Sequence, residues 1–215
     1  MKRSFLRYLF ILYFLLFSLQ GYSADKQLTF CGSTNNDLFL LLKNEGFKLK
    51  IADSPAAAVA NAVEKSGVII VSDSYPEASF GISFRLYNQA QKKGLKLYVE
   101  YPTSFPGINI PGDVFHATLE RGVITSEAFT PLKPMDIVGI NDCYALKVNV
   151  KHPLMVLAKV AGFDKAEYGI DDVEAYPLLF QEGNCMVALT KLSNFKTGRY
   201  GPNNSWKAIW NYIVS

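Results

Sequence analysis

The chain has 215 residues, of which 49% are hydrophobic and 13% aromatic, and it carries 22 Lys and Arg against 19 Asp and Glu. This composition is ordinary for a globular protein. Residues 1–23 contain three of the cations and no acid, so the remaining 192 residues carry 19 charges of each sign. Without net charge, this part has no electrostatic basis for binding nucleic acid or an anionic membrane.

Residues 1–23 have the pattern of a secretory signal peptide. Three cations precede an apolar run at 10–17, and small residues up to Ser23 supply a cleavage site. A retained membrane anchor is the alternative, but the run is short for a span of ~20 residues. We therefore expect cleavage after Ser23, a single domain over 24–215, a secreted or periplasmic location, and no membrane attachment after cleavage.

Short apolar runs alternate with helical patterns in the first half of the chain. The helical patterns begin with capping residues, as at Ser54 before Pro55, and end near glycines. The predicted elements are a strand at 27–32, a helix at 33–46, a strand at 47–52, a helix at 53–67, a strand at 68–73, a helix at 82–94 and a strand at 95–102. This alternation predicts right-handed βαβ units and a flavodoxin-like α/β fold, doubly wound with a mostly parallel sheet.

The second half is punctuated by proline and is richer in strand patterns. Strand-like runs occur at 114–125, 135–140, 153–160 and 176–180, whereas 162–170 fits a return strand or a turn. We expect these segments to form an antiparallel β extension. A last core strand at 184–192 is followed by an amphipathic helix with Trp206, Ile209, Trp210 and Ile213 on one face. The sequence ends at Ser215 directly after this helix, which would suit a domain that continues into another.

Three cysteines, Cys31, Cys143 and Cys185, form an odd set. Cys31 and Cys185 lie in or beside apolar runs, where a thiol usually behaves as a small core residue. We therefore expect buried thiols. In an oxidising compartment, one disulfide with one free cysteine is the alternative.

Four segments carry a resemblance to a known family: "VIIVSDSYPEASF" (68–80), "LKLYVEYPTSFPG" (95–107), "VAGFDKAEYGI" (160–170) and "GNCMVALTKLSNFKTGRYGPNNSWKAIW" (183–210). In these the chain resembles the class I glutamine amidotransferase-like superfamily. It is most similar to the non-catalytic, secreted Bacteroidetes-type members that often precede glycoside hydrolase domains. The resemblance implies a flavodoxin-like fold and, as partner, a carbohydrate ligand or an adjoining glycoside hydrolase domain.

Catalytic members of that superfamily place a nucleophilic Cys at a strand-to-helix elbow, and a His and a Glu after the last strand. Here Glu100 stands at the elbow position, and "KLSNFKTGRY" (191–200) contains neither a His nor an acid. A thiol nucleophile needs a base about 3 Å away. These departures remove the nucleophile and the base together, so glutamine hydrolysis is not expected.

Glu100 is the candidate catalytic residue, because ligands of parallel sheets bind beyond the carboxyl ends of the strands. It could bind a hydroxyl-rich ligand or act as an acid or base with a raised pKa. The favoured alternative is that it pairs with a cation such as Arg199 and holds the elbow together. Tyr98, two residues earlier, should share its face of the strand.

The predicted ligand-binding set comprises Asp73, Glu100, Tyr101, Ser193, Asn194, Arg199 and Tyr200. For Asp73 the structural alternative is a helix cap, and for Ser193 and Asn194 it is hydrogen bonding within a turn. No nucleotide-binding, metal-binding or other cofactor motif is present, and Glu100 has no evident partner carboxylate for glycoside hydrolysis.

The sequence therefore predicts a secreted, non-catalytic module with a binding or accessory role in glycan utilisation. Two alternatives stay open. One is a hydrolase of unknown type that uses Glu100 at a strand-end cleft, and the other is a structural scaffold for a downstream catalytic domain.

Overall fold

The computed structural model describes residues 27–77 and 79–215, so the predicted signal peptide lies outside the described residues. The helices are α1 (Asp37–Asn44), α2 (Pro55–Asn61), α3 (Phe84–Lys92) and α4 (Asn203–Val214). The strands are β1 (Gln27–Cys31), β2 (Lys48–Ala52), β3 (Gly67–Ile70), β4 (Lys96–Glu100), β5 (Val114–Ala117), β6 (Arg121–Ile124), β7 (Ile137–Val138), β8 (Cys143–Leu146), β9 (Met155–Ala158), β10 (Ala175–Glu182) and β11 (Cys185–Ala188).

Polar side chains cap the first three helices, as the sequence predicts for the first two. The side chains of Asn36, Ser54 and Ser83 accept hydrogen bonds from backbone N–H groups in the first turns of α1, α2 and α3. Pro55 occupies the first helical position of α2. This helix ends at Asn61, earlier than the predicted end near Gly67.

Nine of the strands form one sheet in the order β2-β1-β3-β4-β11-β10-β9-β6-β7, and β5 and β8 form a separate antiparallel pair. The five strands from β2 to β11 run parallel to one another. From β11 onward the neighbours β10, β9, β6 and β7 pair in antiparallel fashion. Strand β11 is therefore the junction between a parallel and an antiparallel half.

The prediction of a flavodoxin-like, doubly wound, mostly parallel fold is wrong. Half of the eight pairings in the large sheet are antiparallel, and the part of the chain that the structure describes contains only four short helices. The second-half segments do not append a minor extension, because β10, β9, β6 and β7 continue the main sheet. The domain is a strand-rich mixed sheet.

The two faces of the sheet pack against different helices. Helices α1 and α4 cover one face, where Trp206, Ile209, Trp210 and Ile213 are all buried, as their spacing predicts. Helices α2 and α3 pack against the opposite face through Ala58 and Val59, and through Leu86 and Ala90, respectively. Within the described ranges, no helix has the length and apolar character needed to cross a membrane.

Candidate functional site

The carboxyl ends of β1, β3, β4 and β11 meet at one edge of the parallel half. Glu100 is the last residue of β4, the strand that lies between β3 and β11. The segments that follow β1, β3 and β11 surround it. This edge is where the sequence places the candidate site, and its geometry decides between the functional and structural readings of Glu100.

Glu100 is completely buried and accepts four hydrogen bonds. Its Oε1 accepts from the Ser193 hydroxyl at 2.8 Å and from the backbone N–H of Ser72 at 3.3 Å. Its Oε2 accepts from the backbone N–H of Ser193 at 2.8 Å and from the Tyr98 hydroxyl at 2.9 Å. The last contact confirms that Tyr98 and Glu100 share one face of β4. These donors come from β4 and from the segments after β3 and β11, so the carboxylate cross-links three segments.

The network extends from Glu100 to the start of α1. The Ser193 hydroxyl accepts from Asn36 Nδ2 at 2.8 Å, and Asn36 Oδ1 accepts from the backbone N–H of Leu38 at 2.9 Å. Lys191 Nζ donates to the carbonyl oxygen of Ser72 at 2.6 Å. The ends of β3, β4 and β11 and the first turn of α1 are thus held together by side-chain hydrogen bonds.

Burial raises the pKa of Glu100 above its ordinary value, whereas the hydrogen bonds from Ser193 and Tyr98 and the charge of Lys191 act in the opposite direction. A raised pKa is expected of a general acid. A general acid must also reach a substrate proton, and Glu100 has no exposed surface. The shift in its pKa therefore reflects enclosure within the fold.

The predicted pair of Glu100 and Arg199 is not formed, and that prediction is wrong. Arg199 is exposed, and its backbone oxygen accepts from Asn141 Nδ2 at 2.8 Å. The cation whose charge acts on Glu100 is Lys191. Topology brings Arg199 to the correct end of the sheet, but Ser193 fills the position opposite the carboxylate.

Three tyrosines near this edge, Tyr98, Tyr101 and Tyr200, are buried in aromatic contacts. Tyr98 packs edge-on against Trp210 with ring centroids 5.2 Å apart. Tyr101 and Tyr75 are 5.0 Å apart, and Tyr200 lies 5.2 Å from Trp206. Their rings therefore present no stacking face to a ligand, among the residues that the structure describes.

The seven predicted ligand-binding residues divide into a buried and an accessible group. Glu100, Tyr101, Ser193 and Tyr200 are buried, whereas Asp73 and Arg199 are exposed and Asn194 is partly buried. Asn194 Oδ1 accepts from the Thr197 hydroxyl at 2.6 Å, in agreement with the turn-forming alternative. Glu100 and Ser193 meet in the hydrogen-bond network, whereas Tyr200 and Tyr101 belong to the apolar clusters on opposite faces of the sheet.

The three cysteines are separate, buried thiols, as their apolar surroundings indicate. Burial raises the pKa of Cys31, at the end of β1, to about 11, with further contributions from Asp73 and Asp53. His116 instead contacts Asp142 at 2.5 Å in the two-stranded sheet. Over the described ranges, no cysteine hydrogen-bonds to a histidine, and no group of three or more His, Cys, Asp and Glu side chains could hold a metal ion.

Sequence reasoning missed the part that α1 plays in closing this edge. Asp37 Oδ2 accepts from the backbone N–H groups of Lys196 and Thr197 at 2.9 and 2.7 Å, and from the Thr197 hydroxyl at 3.0 Å. The pattern Asn36–Asp37 signals the start of a helix. Nothing local to it signals a contact with a segment some 160 positions later.

A cavity of about 720 Å³ lies at the opposite edge of the parallel strands. Its lining includes Gln27, Lys65, Lys96, Tyr98 and the end of α4. The cavity is therefore on the amino-terminal side of β1, β3 and β4, away from the Glu100 carboxylate. The predicted strand-end cleft does not coincide with it.

No family model matches the sequence, and no match is found among curated proteins. Among solved structures, the chain is similar to "Alpha-L-fucosidase isoenzyme 2 from Paenibacillus thiaminolyticus", with 7% sequence identity and a TM-score of 0.49. The similarity covers 87% of this chain and 32% of the fucosidase chain, so the described domain spans about a third of that protein.

Proposed function

We propose that this chain is a secreted, non-catalytic module with a binding or accessory role in glycan utilisation. The observation that carries the non-catalytic part is the burial of Glu100, whose two oxygens are occupied by four donors of the protein itself. The glycan part follows from the amidotransferase-like family that the sequence resembles.

The hydrolase alternative requires Glu100 to meet a substrate, and the surroundings of this carboxylate argue against it. A substrate would have to displace Ser193, whose backbone and side chain both donate to Glu100. Displacement would also break the link from Ser193 to the Asn36 cap of α1. A general acid or base must come within hydrogen-bond reach of a substrate proton, and the enclosed Glu100 side chain has no exposed surface.

A pair of assays tests this proposal. Purified protein is incubated with glutamine and with aryl glycosides, and its migration is measured in native gels that contain soluble neutral polysaccharides. We expect no turnover and retarded migration in at least one polysaccharide. Turnover that Glu100→Gln abolishes, in a variant that remains folded by circular dichroism, would support the hydrolase. Absence of both turnover and retardation would favour a structural scaffold.

A further inference from the structure

Two aromatic side chains stand in solvent on the segment between β9 and β10. Phe163 is 88% exposed and Tyr168 is 85% exposed, more than any other large hydrophobic side chain among the described residues. We refer to residues 160–174 as the aromatic loop. Two such rings on one short loop leave apolar surface in water, and apolar surface that is contiguous commonly marks a place of contact with another molecule.

The aromatic loop is fixed to the antiparallel half of the sheet. The Arg121 side chain donates to the carbonyl oxygen of Gly162 at 2.7 Å. The backbone N–H of Ile137 donates to the carbonyl oxygen of Asp164 at 2.8 Å. Ala166, within the loop, is only 4% exposed and packs in a small apolar cluster. The two rings are therefore held outward by an anchored backbone, which reduces the entropy lost when a ligand binds.

The backbone positions that carry the two rings lie beside each other. The N–H of Glu167 donates to the carbonyl oxygen of Ala161 at 3.2 Å, and a Cβ built on Gly162 would lie 3.1 Å from Glu167 Cγ. Phe163 follows Gly162, and Tyr168 follows Glu167. The two residues therefore belong to neighbouring stretches of one short loop, which suits contact with a single extended ligand.

Acidic side chains surround the rings. The aromatic loop contains five exposed acids and a single cation; the acids are Asp164, Glu167, Asp171, Asp172 and Glu174, and the cation is Lys165. The excess of four negative charges repels anionic ligands. Aromatic faces suit the C–H faces of pyranose rings, and carboxylates accept strong hydrogen bonds from sugar hydroxyls.

From this arrangement we infer that the aromatic loop is the contact surface for a neutral polysaccharide. The inference rests on the proposed glycan-binding role and places it at the same end of the sheet as the sealed Glu100 network, across β11 and β10, because β10 begins where β11 ends. A protein partner fits less well. Protein interfaces bury a contiguous core that is poor in Asp and Glu, whereas here Asp164 and Glu167 directly adjoin the two rings in sequence.

Affinity electrophoresis in gels with xyloglucan, galactomannan or mixed-linkage β-glucan tests the inference, with polygalacturonate as the anionic comparison. The test variant is Phe163→Ala with Tyr168→Ala. Phe84→Ala is the matched control, because Phe84 is 68% exposed on α3 in the parallel half. We expect the double variant to weaken binding roughly tenfold or more, as loss of two anchor side chains does elsewhere, and the control to bind like the wild type.

The remaining outcomes separate the failure of this inference from that of the proposed function. Retention of the wild type and the double variant to the same extent would overturn the aromatic loop as the contact surface and leave the binding role standing. The inference would also be overturned if Phe84→Ala lost as much polysaccharide binding as the double variant. Retention of the wild type by polygalacturonate alone would overturn it too. No retention of the wild type in any gel would overturn both.

Discussion

Replacing Glu100 with glutamine should destabilise the domain, because an amide cannot satisfy the donors around this side chain. Each carboxylate oxygen accepts from one backbone N–H, of Ser72 or Ser193, and from one hydroxyl, of Ser193 or Tyr98. A hydroxyl can turn and become an acceptor, but a backbone N–H cannot. Either placement of the amide therefore sets its NH₂ group against a backbone N–H.

The expected magnitude follows from that conflict. A buried donor left without an acceptor costs about 1–3 kcal/mol. The neutral amide is easier to remove from water than a carboxylate, which offsets part of the cost. We expect the free energy of unfolding to fall by about 2 kcal/mol. For a domain of this size, the unfolding temperature should then decrease by about 4–8 °C.

The loss should depend on pH, because burial raises the pKa of Glu100 above its ordinary value of 4.5. Between that value and the folded pKa, the folded protein holds a proton that the unfolded chain has released. Stability from this group is therefore fully present at low pH and is lost as the pH rises through the folded pKa. The protonated oxygen of a carboxyl group can donate to a neighbouring hydroxyl and still accept from the backbone N–H, whereas the NH₂ group of an amide cannot accept. The difference in the free energy of unfolding between wild type and variant should therefore become larger as the pH falls.

Thermal unfolding followed by circular dichroism at about pH 5 and about pH 8 measures both effects. Glu64→Gln is the matched control, since Glu64 is exposed, and it should melt with the wild type. If the Glu100→Gln variant also unfolded at the same temperature as the wild type at both pH values, the Glu100 network would contribute no stability. A difference in unfolding temperature that became smaller as the pH falls would contradict the raised pKa of Glu100.

Two further predictions concern the same edge and the buried thiols. Asp37→Ala removes an acceptor from the backbone N–H groups of Lys196 and Thr197, so urea denaturation should show a loss of about 2 kcal/mol, and limited proteolysis should cut near Thr197 sooner. Unchanged stability would contradict the role of this carboxylate. The three cysteines, whose pKa values burial raises to between about 11 and about 12, should react with a disulfide reagent at about pH 8 only after denaturation. Rapid reaction of the folded protein would refute their enclosure.

The positions of most helices and strands could be predicted from sequence, because capping residues and apolar periodicity are local signals. The closing helix is an example, since Trp206, Ile209, Trp210 and Ile213 are buried as their spacing indicates. Strand pairing could not be predicted. The runs that became β9 and β10 are apolar, but their pattern does not tell whether they extend the main sheet or form a separate one.

The candidate site shows the same division between local and distant information. A strand end at Glu100 and a turn at Ser193 are local features, and the structure has both. The choice of partner for Glu100 is not local. Arg199 was the obvious cation, but the short 3₁₀ turn Leu192–Asn194 places Ser193 against the carboxylate, so hydrogen bonds replace the predicted ion pair.

The position of β11 links the sealed edge to the exposed aromatic loop. This strand pairs with β4 on one side and with β10 on the other, so it belongs to both halves of the sheet. The segment after it supplies Lys191 and Ser193, which close the strand-end edge. The loop that presents Phe163 and Tyr168 precedes β10, the next strand in the same hydrogen-bonded sheet. Because β10 begins beside the end of β11, the Glu100 network and the aromatic loop lie at the same end of one hydrogen-bonded sheet.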